Sequence, residues 1–138
     1  MPESPIEQLL LAVDALDVEA VTALMSPECR ILTADGRRAS GIEAVGELLR
    51  EFLGELRAAT HRLTAQWHVD DVWIAEADAT YELRDWLQTP PLPRAVIVRT
   101  GPQGITDVHA YGAHERDLMD HAAGDPGMRI GGRWLPPL

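Results

Sequence analysis

The sequence predicts an α+β fold, with N-terminal helices packed on one face of a strongly curved antiparallel sheet. Two observations carry the prediction. Apolar residues as far as Leu56 recur at helical spacing, and from His61 onward the period drops to two. Proline and glycine clusters then cut the second half into strand-length pieces. Helices first and a meander of long strands after is the α+β plan.

Ser4-Pro5 with Glu7 reads as a helix start: an N-cap hydroxyl, a proline in the first turn and an acid three residues after the cap. Leu9, Leu10, Val13, Leu16 and Val18 continue it at helical spacing. A second helical turn, Val18 to Met25, is stopped by Ser26-Pro27, because the residue before proline avoids the helical region. A short strand is expected at about 29–33, closed by the tight turn of Asp35-Gly36. After Ser40-Gly41, the stripe Ile42, Val45, Leu48, Leu49, Phe52, Leu53 and Leu56 predicts an amphipathic helix.

The strand at 61–70 alternates His61, Leu63, Ala65, Trp67 and Val69 with polar residues, which places the first set inward. Past Asp70-Asp71 a second long strand is expected at 72–86. There Ala75, Ala77, Ala79, Tyr81 and Leu83 oppose Glu76, Asp78, Thr80, Glu82 and Arg84. Strands at 94–100 and 105–112 flank Gly101-Pro102-Gln103-Gly104. One domain is expected over residues 1–112. An irregular extension follows over 113–138, with Ile130, Trp134 and Leu135 available to dock on an apolar surface.

Composition bounds the function. The 138 residues suit one domain with a real core. The net charge of −10, from 22 acids against 12 Lys and Arg, argues against nucleic acid and against adsorption to an anionic membrane. No basic face and no membrane-length apolar run appear, and the N-terminus lacks secretory character, so a cytoplasmic protein is expected. The single Cys29 forms no internal disulfide and reads as a small buried hydrophobe. His114, Glu115, Asp117 and His121 lie in a polar stretch and are not expected to hold a metal. No phosphate-cradling loop or catalytic-elbow motif is present, so no cofactor is expected.

The segment DVEAVTALMSPECRILTADGRRASGIEAVGELL resembles the opening of the SnoaL-like and ketosteroid-isomerase-like families, and RAVIVRTGPQGITDVHAY resembles the way they close their sheet. The resemblance spans Pro5 to Gly112 and implies the NTF2-like cone fold, a cavity for a small apolar or polyketide-like molecule, and a homodimer. It also implies where acids should stand. The ketosteroid-isomerase base falls on Thr33, its oxyanion-hole tyrosine on Leu9 and its partner acid near Ala95. The closing-strand aspartate of SnoaL-type cyclases and related epoxide hydrolases falls on Ala110. None of these positions carries the family's residue.

What alternation leaves inside is His61, with Tyr81 as its nearest partner by strand pairing. His61 is either a core histidine satisfied by the backbone or a general base at the cavity wall. Tyr81 is either a core aromatic or a phenolic donor to a developing oxyanion. Thr33, Leu63, Ala65, Trp67, Ala77, Ala79, Val108 and Ala110 are the candidate ligand-binding wall, with Trp67 as a flat surface and the alanines leaving volume. A bulge near Asp71 would instead turn Glu76 and Asp78 inward. Two functions follow: a cofactor-independent cyclase, isomerase or hydrolase, or a non-catalytic binding or interaction protein. The homodimer is expected through the opposite sheet face, which carries His109 and Tyr111.

Overall fold

In the computed structural model, the described residues are 4–113 and the two strands at 128–130 and 133–135. Three helices, α1 (Pro5–Asp14), α2 (Val18–Ala23) and α3 (Ile42–Gly54), pack on one face of a six-stranded open sheet. Its strands are β1 (Met25–Leu32), β2 (Arg38–Ser40), β3 (Leu56–Val69), β4 (Val72–Leu83), β5 (Leu92–Gly101) and β6 (Gly104–Gly112), in the order β2-β1-β6-β5-β4-β3. A separate two-stranded ladder joins β7 (Met128–Ile130) to β8 (Arg133–Leu135). The rest of the extension, and the docking expected of Ile130, Trp134 and Leu135, lie outside the described residues. Among the described residues no helix is long and apolar enough to cross a membrane.

Each helix is set by local chemistry. Ser4 caps α1 in a full capping box with Glu7, and the Ser4 hydroxyl also donates to Gln66 Oε1 at 2.6 Å, tying the helix start to β3. Asp17 caps α2 through its carboxylate. Gly41 starts α3 at φ +87°, a conformation that favours glycine, while its N–H donates to Cys29 O at 2.7 Å. The core under the helices holds Ile6, Leu9, Val21, Val45, Leu49, Ala75, Val96 and Val98. Cys29 is part of it, and burial pushes its thiol pKa up, as suits an inert side chain.

The sheet is mixed, which corrects the wholly antiparallel expectation. β1 runs parallel to β6, with Ile31 beside Val108, and every other pair is antiparallel. Asp107, buried on β6, ion-pairs with Arg30 at 2.9 Å across that parallel seam. The third helix ends at Gly54, and β3 begins at Leu56 rather than His61. The strand expected at 72–86 stops at Leu83.

The largest correction is a bulge in β3. Leu63 pairs with Ala77 but Ala65 pairs with Glu76, so the alternation slips between Leu63 and Ala65. Gln66 and His68 therefore take the helix side, opposite Ala75 and Trp73, and His68 stacks on Trp73 with centroids 3.6 Å apart. Ala65, Trp67 and Val69 turn to the outer face, where Trp67 is 50% and Val69 68% exposed. β4 keeps its register: Glu76 stays outward and exposed, and Asp78 pairs with Arg62 at 3.0 Å.

Candidate functional site

A cavity of about 110 Å³ lies between the helices and the concave face of the sheet. Its aliphatic wall comes from α1 (Leu9, Leu10, Val13), α2 (Val21), β1 (Met25, Ile31) and α3 (Leu49, Phe52). Its polar members are His61, Tyr81 and Arg94, with Thr33 and Asp35 on the turn between β1 and β2.

His61 sits where β3 passes the last turn of α1. Asp14, the final residue of that helix, accepts twice from it: the backbone N–H reaches Oδ2 at 2.9 Å, and ring Nδ1 lies 2.6 Å from Oδ1. A carboxylate only accepts, so Nδ1 carries a proton, and in the neutral ring Nε2 presents its lone pair. The Tyr81 hydroxyl lies 3.3 Å from that Nε2 and donates to it when the ring is neutral. Ala59 on β3 faces Tyr81 on β4, and the His61 and Tyr81 rings meet edge to face, centroids 5.7 Å apart. Phe52 of α3 packs edge-on against the other side of Tyr81. The result is a three-membered chain, Asp14–His61–Tyr81, whose last two members line the cavity. Asp14 and His61 also line a groove on the outer side of α1 with Glu7, Leu10, Leu11 and Leu63.

The turn beside the cavity holds a second polar group. Burial pushes the Asp35 carboxyl up. The Thr33 hydroxyl and the Arg37 guanidinium, 2.9 Å away, outweigh that and hold the pKa at about 2. Arg37 is correspondingly raised by Asp35 against the effect of its own burial, so the pair stays charged.

The candidate residues divide as follows. His61, Tyr81, Thr33, Val108 and Ala110 all line the cavity. Leu63 lines the outer groove instead. Ala65 and Trp67 are corrected to the far face by the bulge. Ala77 and Ala79 are buried on the concave face but do not border the cavity, because Arg94 and Leu92 of β5 stand directly beside them and use the space they leave. Three polar residues were missed, among them Asp35, which was read only as part of a turn and borders the cavity. Asp14 is 47 positions from His61 and pairs with it only through the fold. Arg94 was legible: it shares the inward parity of Val96 and Val98.

No family model matches the chain, and no curated protein matches it. Solved structures do. A hypothetical protein from Catenulispora acidiphila with a ketosteroid isomerase-like fold, in complex with trimethylamine, aligns at TM-score 0.72 and 16% identity over 80% of this chain and 86% of that one. An M. tuberculosis LEH-like epoxide hydrolase aligns at TM-score 0.68 and 16% identity over 79% and 80% of the two chains. A putative SnoaL-like polyketide cyclase from Shewanella denitrificans aligns at TM-score 0.73 and 7% identity over 86% and 94%. At these identities the likeness shows the fold: this chain has the α+β, ketosteroid isomerase-like and NTF2-like architecture.

Proposed function

We propose that the protein is a cofactor-independent acid–base enzyme of the SnoaL-like type, working on a small, mostly apolar substrate by proton transfer at His61. One observation carries this reading. The Asp14–His61–Tyr81 chain brings an imidazole nitrogen and a phenolic hydroxyl to a cavity whose wall is mostly apolar. A base needs a lone pair aimed at the substrate, and Asp14 supplies that by occupying Nδ1–H. In the step this allows, a C–H proton beside a substrate carbonyl passes to His61 Nε2. The C–H electron pair becomes an enolate, and the Tyr81 O–H turns from His61 to hydrogen-bond the new oxyanion. Returning the proton to another atom completes an isomerisation, and expelling a leaving group completes an elimination.

The cavity constrains the substrate. Its volume of about 110 Å³ is below the ~150 Å³ that takes up a benzene ring. A polycyclic substrate would therefore enter by its reacting end alone, the remainder reaching past the turn at Thr33 and Asp35.

The test is a thermal-shift screen with small enolisable carbonyl compounds, followed by NMR of solvent deuterium entering each hit. Exchange that is lost in His61→Phe supports the reading. Exchange retained in a folded His61→Phe overturns it. The second reading, a non-catalytic binder, is favoured by the vacated acid positions at Thr33, Leu9, Ala95 and Ala110. It expects hits that bind and never exchange. In either reading we expect a cytoplasmic homodimer joined through the outer sheet face, where Trp67 and Val69 of β3 and Ile74 of β4 form an exposed apolar cluster and Tyr111 of β6 is also exposed.

A further inference from the structure

We propose that the turn between β1 and β2, Thr33 to Arg37, is the gate of this cavity, and that Arg37 latches it shut against α3. The gate regulates the site of the acid–base reading, and it rests on that reading only for the statement that a ligand enters this cavity.

Among the described residues, every part of the cavity wall but one belongs to a helix or a strand. The exception is Thr33, Ala34 and Asp35. The helices and central strands share a buried core, so a path between them would open packed contacts. The turn has no such hold. It runs into β2, a strand of three residues at the edge of the sheet, with Arg38 and Ser40 exposed. Its tip, Gly36, has φ +88° and open space where a side chain would stand. A loop tip with few buried contacts is where local opening requires least free energy.

The turn holds its own shape, so it can move as one piece. The Thr33 N–H donates to Arg37 O and the Gly36 N–H to Thr33 O, each at 2.9 Å. The Thr33 hydroxyl donates to Asp35, and Asp35 pairs with Arg37 at 2.9 Å. Arg37 also links this unit to α3. Its Nη1 lies 3.4 Å from Glu51 Oε1, and its guanidinium carbon stands 5.9 Å from the centre of the Phe52 ring. Glu51 is 65% exposed and the contact is long, so the link is weak. Arg37 Nη2 is buried and meets no acceptor among the described residues, a donor that solvent satisfies once the turn lifts. Closure is therefore held by a weak contact and opposed by an unsatisfied donor, which brings the open and closed positions close in energy. Phe52 joins the latch to the site, since it lines the cavity and packs edge-on against Tyr81.

The experiment uses xenon, which enters dry apolar cavities, and follows its exchange by the methyl NMR signals of Leu49 and Val108 in the full chain. Glu51→Ala should speed entry and exit alike, by about two- to fivefold, the range of one exposed ion pair, with the affinity unchanged. A second variant closes the gate. Arg37→Cys and Glu51→Cys, joined by a short reducible linker in a Cys29→Ala background, should lose fast exchange, and reducing the linker should restore it. If the linked variant does not fold, wild type against Glu51→Ala still decides. Unchanged rates in Glu51→Ala, exchange as fast in the linked protein as in the reduced one, or no xenon in the cavity overturns the proposal. None of these readouts involves His61 or turnover. A linker that blocks xenon while no carbonyl compound exchanges deuterium would retire the acid–base reading and leave the gate standing. Deuterium exchange at full rate in the linked protein would do the reverse.

Discussion

Replacing Asp14 by asparagine removes one negative charge from the centre of the proposed machinery while keeping its shape. Asp14 now accepts from two donors at residue 61, the backbone N–H at 2.9 Å and ring Nδ1 at 2.6 Å. The two donors reach different carboxylate oxygens, and asparagine keeps an acceptor oxygen at only one of those positions. If that oxygen keeps the backbone N–H, the amide NH₂ faces Nδ1, and the ring must move its proton to Nε2. Two charge-assisted bonds become neutral ones, a loss of about 1 kcal/mol each. The Asp14 side chain is 24% exposed, so water offsets part of this, and the net cost is about 1–2 kcal/mol. For a chain of 138 residues that corresponds to a melting temperature lower by roughly 3–10 °C. Turnover should fall far more, by about 10²–10⁴, because the lone pair no longer faces the cavity. The tautomer is readable without any substrate, by ring-nitrogen NMR of histidine-labelled protein, with His61→Phe identifying the signal. Wild type should show Nδ1–H and Asp14→Asn should show Nε2–H. An unchanged tautomer together with an unchanged melting temperature would refute the argument.

Two other predictions are independent of the ligand. The folded Asp35 pKa of about 2 lies below the ordinary 3.8, so the turn's ion pair stabilises the fold fully above the ordinary value and loses that contribution as pH falls through about 2. The shift is worth about 2 kcal/mol, so Arg37→Met should lower the urea midpoint at neutral pH, and the gap from wild type should close at the acid end. Trp67→Glu puts a charge in the middle of the outer apolar cluster. The proposed outer-face homodimer predicts a dimer in sedimentation of wild type and a monomer for Trp67→Glu, with the melting curve of the variant still cooperative.

Much of the fold was legible because local signals and packing agreed. The stripe from Ile42 to Leu53 is a helix because its apolar residues face one core, and Ser4 caps α1 because Pro5 and Glu7 follow it. The misplacement of Ala65 and Trp67 has a specific cause. The sequence continues to alternate through Val69, but the backbone inserts one residue near Thr64, and a slip of one reverses every side chain beyond it. Alternation shows that two faces differ and cannot show which is inside, and here the apolar set beyond the bulge belongs to the outer face. The parallel pairing of β1 with β6 was hidden for another reason, since it joins strands separated by most of the chain. The alanines at 75, 77 and 79 were read as empty volume, yet each sits beside a larger residue of β5 that takes up the space.

The contact of Asp14 with His61 changes what the vacated acid positions mean for function. Thr33 and Ala110 lie on the β1 and β6 side of the cavity, and no carboxylate replaces the family's acids at those two positions. The carboxylate that touches a proton carrier instead comes from the end of α1 and meets His61 on β3, across the sheet from that wall. Moving the base to this side changes how it can exchange protons with water. A base sealed in an apolar cavity must wait for the cavity to open. His61 has the cavity on one side and the groove of Glu7, Leu10, Leu11, Asp14 and Leu63 on the other, with a partly exposed carboxylate between ring and solvent. In the acid–base reading, the groove exchanges the Nδ1 proton directly while a ligand fills the cavity. The abstracted proton on Nε2 joins that exchange when the imidazolium ring turns to bring it to the Asp14 side. Deuterium should enter a bound ligand at a rate that depends on buffer reaching Asp14, and a bulky Leu11→Trp at the groove should slow that exchange without weakening binding. Equal slowing of binding and exchange would place the proton route through the cavity mouth instead.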